Sequence, residues 1–237
     1  MTKLLDEIKN LEELNNYCLN FENFNNEEDI RSITNHYICQ TIQNFIISIK
    51  LSFNLKEIDY CKKNISEQLD DADLEVLQNN FIAYSKEAFF INFSIIVENH
   101  FRQIAIHYEN DTNKINVTPI KKTFENIFIE NKCQKFNNAL SEDEINTYYF
   151  FLYLRNTMHN IGIHTKDDIT INFNDANSIF AFDKITLSLT ENNFNNITFF
   201  ELVFLIEQVC KLVNKANLKI ESNEFIKHRL VDAGFNE

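Results

Sequence analysis

The chain has 237 residues and a formal net charge of −13, with 23 phenylalanines but only two glycines and one proline. This length can bury a substantial core within one large domain, and so few turn-forming residues exclude an all-β fold built on many tight turns. The acidity excludes a general nucleic-acid-coating role, whose affinity rests on phosphate neutralisation, but leaves room for a small basic pocket and favours solubility.

Five cysteines, at 18, 39, 61, 133 and 210, are dispersed and odd in number, and none forms a CxxC pair. This pattern predicts reduced, buried thiols and neither a disulfide framework nor a zinc site. Met1–Glu7 does not read as a signal peptide, and the longest apolar run, Tyr148–Leu154, is too short to span a bilayer. The expectation is a cytoplasmic chain with no membrane partner. Asparagine is about one residue in seven, but Phe and Ile interrupt it too regularly for a low-complexity tract.

Residues 3–50 read as two helices. Leu4, Leu5, Ile8, Leu11, Leu14 and Cys18 carry the first, and Ile30, Ile33, Ile38, Ile42, Phe45 and Ile46 the second. The acidic run before Ile30 suits the start of a helix. From Asp70 to Tyr108 one long helical pattern runs without Gly or Pro, and it places Glu98 and Arg102 four residues apart in the favourable order. The polar stretch 109–119 predicts a loop, and 121–134 a further helix.

Ser141 and Glu144 fit a capping box, with Leu140 and Ile145 placed for a hydrophobic staple. Gly162 falls where a left-handed residue ends a helix, so a helix is predicted over 142–161. The period then changes to two at Ile169, Ile171 and Phe173 and again at Ile185, Leu187 and Leu189, with a turn-like Asn174–Asn177 and a run at Ile179–Phe182. This predicts a small antiparallel hairpin or three-stranded meander. Thr198 and Glu201 form a second capping box, opening a helix that carries Leu202, Leu205, Ile206, Val209, Leu212 and Val213. The tail from Glu221 reads as a possible short helix.

The chemistry concentrates in the 142–161 helix, where Tyr148, Leu152, Arg155 and His159 share one face and Phe151, Leu154, Met158 and Ile161 another. An arginine among apolar residues must find a carboxylate or a phosphate. In one reading Arg155 pairs with a structural acid such as Glu98, and His159 caps the carbonyls of the helix end, where a cation is favoured. In the other, Arg155 holds a phosphate with its planar fork and His159 acts as general acid or base, with Asn156 and Asn160 orienting substrate or arginine. His100 and His107 share a helix face but lack the carboxylate or further ligand of a metal site. The chain has no Walker or Rossmann glycine pattern, and Lys121-Lys122 is the one basic neighbourhood suited to base stacking. No cofactor is expected.

The segment Arg155-Asn156-Thr157-Met158-His159-Asn160-Ile161-Gly162 resembles the RN-x-x-HN-x-G motif of prokaryotic members of the HEPN superfamily, the higher eukaryotes and prokaryotes nucleotide-binding helical domains. The preceding helix Phe93–Arg102, with its Glu98 and Arg102, and the hairpin and closing helix of about 168–217 are similar to the same members, so the likeness covers about 75–217. The resemblance implies a mainly α-helical bundle with a small β-hairpin at about 168–190, in an HEPN-like domain over 71–217 flanked by an N-terminal helical extension (1–70) and a C-terminal tail or short helix (218–237).

It further implies a homodimer and a metal-independent endoribonuclease, of the toxin, abortive-infection or phage-defence type, that acts on RNA. Arg155 and His159 would be catalytic, with Asn156, Asn160, Glu98, Arg102 and Tyr148 in binding or supporting places. Three residues separate Arg155 from His159, fewer than is usual in the nuclease members. That interval and the acidity favour the competing class, a non-catalytic interaction or nucleotide-binding module. A third reading is an antitoxin-like partner whose acidity complements a basic protein.

Overall fold

Apolar spacing and side-chain caps account for the long helices of this protein. A computed structural model describes residues 2–21, 24, 26–109, 111–130, 134–174, 178–182 and 184–228. Helix α1 (Thr2–Leu19) turns Ile8, Leu11, Leu14 and Cys18 inward, at the spacing read from the sequence. Helix α2 (Ile30–Ser52) starts at Asp29, whose side chain accepts from the Arg31 amide. After a 3-10 turn at Phe53–Lys56 and a short helix α3 (Ile58–Asn64), the long helix α4 (Asp71–Glu109) runs through the centre. Its first turn is fixed by the Asp70 carboxylate, which accepts from the amides of Ala72 (2.9 Å) and Asp73 (3.1 Å).

Helix α4 packs most extensively along α2, where Phe45 and Phe89 stack with ring centroids 4.8 Å apart. Two short helices follow, α5 (Thr112–Val117) and α6 (Ile120–Phe128), then a 3-10 turn at Gln134–Phe136. Helix α7 (Glu142–His159) lies against α4, with Phe151 edge-on to Phe90 (5.6 Å) and Phe93 (5.8 Å). Strands β1 (Ile169–Asn174) and β2 (Lys184–Leu189) pair antiparallel, Ile171 opposite Leu187, with those two residues buried. Helix α8 (Phe199–Asn217) closes the bundle against α1 and α7. One apolar core joins residues of α1, α2, α4, α6, α7, the hairpin and α8. The protein is therefore mainly helical, with a two-stranded sheet before the last long helix. Among the described residues no helix is long and apolar enough to cross a membrane.

Both capping boxes form. Ser141 and Thr198 accept from the Glu144 and Glu201 amides, and each glutamate returns to the cap amide at 2.7 Å. Other elements depart from the sequence reading. The 109–119 stretch is not all loop, because Asp111 accepts from the Lys114 amide (3.0 Å) and starts α5. Helix α6 stops at Phe128, well short of 134. No third strand forms at 179–182; there the amide of Ile179 and the hydroxyl of Ser178 donate to the buried Glu207 carboxylate, which holds that segment on α8. The turn expected at Asn174–Asn177 falls largely on 175–177, outside the described residues, as does Cys133.

Residues 221–228 form no helix. They are held to the start of α2 by Ile30 N–H to Ile226 O (2.8 Å) and His228 N–H to Glu28 O (3.0 Å). Beneath this tail Arg31 and Asp29 form a two-pronged ion pair, both bonds 2.8 Å, with each side chain only 2% exposed. The Arg31 guanidinium also donates to the carbonyls of Glu221 and Glu224. A buried pair of this kind survives because every charged edge finds a partner.

Candidate functional site

Helices α4 and α7 bring Glu98, Arg102, Tyr148 and Arg155 together. Glu98 Oε1 accepts from Arg102 Nε at 3.1 Å and from Nη2 at 2.9 Å. The other Glu98 oxygen, Oε2, lies 3.1 Å from Arg155 Nη2. That approach is off the hydrogen-bond direction, so Oε2 makes an ionic contact without an aligned bond. Glu98 thus sits between two guanidinium groups, and the three side chains are 18% (Glu98), 19% (Arg102) and 24% (Arg155) exposed.

The two arginines are not equivalent. Arg102 is fully employed, because its Nη1 donates to the carbonyls of Ile115 (2.7 Å) and Thr118 (2.9 Å) and so fastens α5 to α4. The Nε of Arg155 is buried with no hydrogen-bond partner among the described residues. One carboxylate faces two guanidinium charges, so one positive charge remains, and by these contacts it rests on Arg155.

Tyr148, two turns earlier on α7 than Arg155, is fully buried between Phe124 (stacked, 4.0 Å) and Phe101 (edge-on, 5.2 Å). Its hydroxyl has no hydrogen-bond partner among the described residues. Burial, and then the charge of Glu98, push its pKa up, so the phenol stays neutral.

His159 is exposed and makes no hydrogen bond or ion pair among the described residues. It does not cap the helix carbonyls, as one reading had it. Instead the Asn160 amide donates to the carbonyls of Asn156 and Thr157, both at 3.1 Å, and the Gly162 amide closes on Thr157 O at 2.9 Å. The Gly162 bond is the 6→1 bond of a Schellman motif, which needs a left-handed residue directly after the cap, and here two successive residues have positive φ. They are Ile161 (φ +57°) and Gly162 (φ +82°), so α7 ends at His159, two residues before the predicted end. Ile161 is 89% exposed. A β-branched residue in this conformation stores about 1–2 kcal/mol of strain, and its side chain gains no packing that would offset it.

Asn156 is exposed beside this end, whereas Asn160 is the C-cap and its amide donates to Thr165 Oγ1 at 3.3 Å. Lys121 lies over the rings of Tyr149 (4.4 Å) and Tyr153 (5.4 Å), so the basic neighbourhood singled out in the sequence does meet aromatic faces. Sequence reasoning gave His164 no role. It is buried beneath the helix end, with Nδ1 2.9 Å from Thr157 Oγ1 and Nε2 3.0 Å from the Asp167 carbonyl. A carbonyl only accepts, so Nε2 carries a proton, and His164 props the turn that follows α7. Among the described residues no three His, Cys, Asp or Glu side chains converge as metal ligands. His100 is buried against Thr34, and His107 pairs with Glu224.

Comparison of the chain with protein-family models, with curated proteins and with solved structures returns no match.

Proposed function

We propose that this is an HEPN-like protein that grips an RNA phosphate with Arg155 and cleaves the strand without metal, as a toxin-type effector in prokaryotic defence or a toxin–antitoxin system. The observation that carries this reading is that Arg155 shares its one carboxylate, Glu98, with Arg102 and keeps an Nε without a hydrogen-bond partner among the described residues, one turn before an exposed histidine on the same helix face that makes no hydrogen bond or ion pair among the described residues. A planar guanidinium suits a phosphate oxygen. In this reaction the ribose 2′-hydroxyl loses its proton to His159, the 2′-oxygen bonds to the adjacent phosphorus, and the bond to the 5′-oxygen breaks. A proton returns to that leaving oxygen, and a cyclic phosphate remains. Arg155 stabilises the charge that develops on the phosphoryl oxygens. The homodimer belongs to the same reading and is measured by light scattering.

A second reading has its own observation. The 3.1 Å contact between Arg155 and Glu98 already gives the guanidinium a counterion. It favours a non-catalytic interaction or nucleotide-binding module in which the Glu98–Arg155 contact ties α4 to α7.

The deciding experiment is incubation of purified protein with RNA in EDTA, comparing wild type with His159→Ala and Arg155→Ala. Cleavage by wild type to cyclic-phosphate ends, lost in both folded variants, supports the nuclease. Cleavage retained by His159→Ala removes it. Phosphate-dependent binding without cleavage supports the second reading.

A further inference from the structure

Helices α2 and α4 run antiparallel, with Thr34 bonded to His100, Phe45 stacked on Phe89 and the Ser52 carbonyl accepting from Gln78. One side of this pair presents a face without charge. Residues 32–49 hold no Asp, Glu, Lys or Arg, in a chain where 24% of residues are charged. Residues 76–97 hold two, and both turn the other way: Lys86 donates to Glu7 of α1, and Glu87 lines the cavity between α4 and α1. Large apolar side chains stand out on the uncharged face. Phe81, Tyr84 and Ile95 of α4 and Leu51 of α2 are exposed, Tyr84 to 74%. With Ala88 and Asn92, the α4 residues step by three and four along one side of the helix, as at a helix–helix seam. Thr41, Asn44, Ser48 and Leu51 do the same on α2.

Shape, size and charge all point to a second copy of this chain. Between the two helices runs a groove of about 310 Å³, floored by the Phe45–Phe89 stack and walled by Thr41, Ser48, Ser85 and Ala88, with Tyr84 at its edge. A large side chain beside a groove of small ones is complementary to its own copy across a two-fold axis. From Leu77 to Ile95 the face is about 27 Å long, and two helices make it about 20 Å wide. It thus offers on the order of 500 Å² per copy, and a pair reaches the roughly 1,000 Å² that a specific interface needs. Two chains of charge −13 repel wherever acidic faces meet and can approach on this one, whereas a basic partner would be drawn to the acidic faces instead. We infer that the α2–α4 face is the contact surface of a homodimer, in which Tyr84 of each copy enters the groove of the other. This gives the homodimer of the proposed function a surface, and it stands on that surface rather than on the RNA chemistry, since neither Arg155 nor His159 lines the groove.

The test is sedimentation velocity of the full chain, from about 1 to about 500 µM, and the expected result is a dimer of micromolar affinity. Tyr84→Glu and Ala88→Glu each set a charge against the same charge of the second copy and should raise the dissociation constant at least about thirtyfold. Val117→Glu adds the same charge at an exposed apolar position of α5 and should leave it unchanged. A wild type that stays monomeric throughout overturns the face and the homodimer together, and leaves RNA cleavage to its own assay. A dimer that persists in both face variants, or that Val117→Glu weakens as much, overturns the face alone. Should one face variant lose its helical circular dichroism, the other decides.

Discussion

Glu98→Gln tests the central claim about the candidate site, that Glu98 is shared and Arg155 holds the surplus charge. In the wild type Glu98 accepts two bonds from Arg102, at 3.1 and 2.9 Å, and faces Arg155 at 3.1 Å. Glutamine keeps one carbonyl acceptor for Arg102 but removes the charge from between two guanidinium groups. These groups are about four-fifths buried, so solvent screens them only in part. The expected loss is about 2–3 kcal/mol of unfolding free energy, the worth of a charged bond together with an ionic contact. Arg155 is then left without a counterion.

If its guanidinium is a phosphate ligand, inorganic phosphate should restore part of that loss. With a dissociation constant of about 1 mM and about 20 mM phosphate, the recovery is roughly 1.8 kcal/mol. The assay is urea denaturation of wild type, Glu98→Gln and Glu98→Gln/Arg155→Gln, in phosphate and in chloride of matched ionic strength. The double variant should lose the phosphate response. A destabilisation under about 0.5 kcal/mol would sink the shared-carboxylate description. A single variant that responds equally to phosphate and chloride would sink the phosphate site.

Asp29→Ala removes the partner of the buried Arg31 as well as the cap of α2, and should cost about 3–5 kcal/mol in the same denaturation assay. A loss below about 1 kcal/mol would refute the view that this pair anchors the tail at Ile226 and His228. His100 gives a pH dependence. Burial pushes its pKa down to about 3, whereas in the unfolded chain it is about 6.5. Below that unfolded value the unfolded chain takes up a proton that the folded one refuses. The contribution of His100 is therefore whole above pH ~6.5 and is lost as pH falls toward the folded value, with a limiting slope of about 1.4 kcal/mol per pH unit. Chemical denaturation from pH 7 to 4 should show this slope in wild type and a shallower one in His100→Gln. Equal slopes would show that His100 is not held neutral by the core.

The local grammar of the chain determined most of its helices. Two capping boxes, a glycine near a helix end and long runs free of Gly and Pro fix where α4, α7 and α8 lie, because caps and helix periodicity act within a few residues. The alternation at Ile169–Phe173 and Ile185–Leu189 likewise placed the two strands. The sequence also isolated Arg155 and His159, and it offered Glu98 as a partner for the arginine, because a charge on an otherwise apolar helix demands one.

Only the tertiary structure decided how that demand is met. Glu98 lies 57 positions before Arg155 in the chain; its spacing to Arg102 is local and legible, but nothing local says that one carboxylate serves both arginines at once. The exposure of His159 depended on how α7 ends, with the left-handed turn beginning at Ile161 rather than at the glycine. Long-range pairing hid the rest. Arg31 meets carbonyls about 190 residues away, Glu207 takes its donors from residues 178–179, and Glu7 of α1 accepts from Lys86 of α4. Such contacts have no sequence period, because they arise where packed elements meet and not along any one of them.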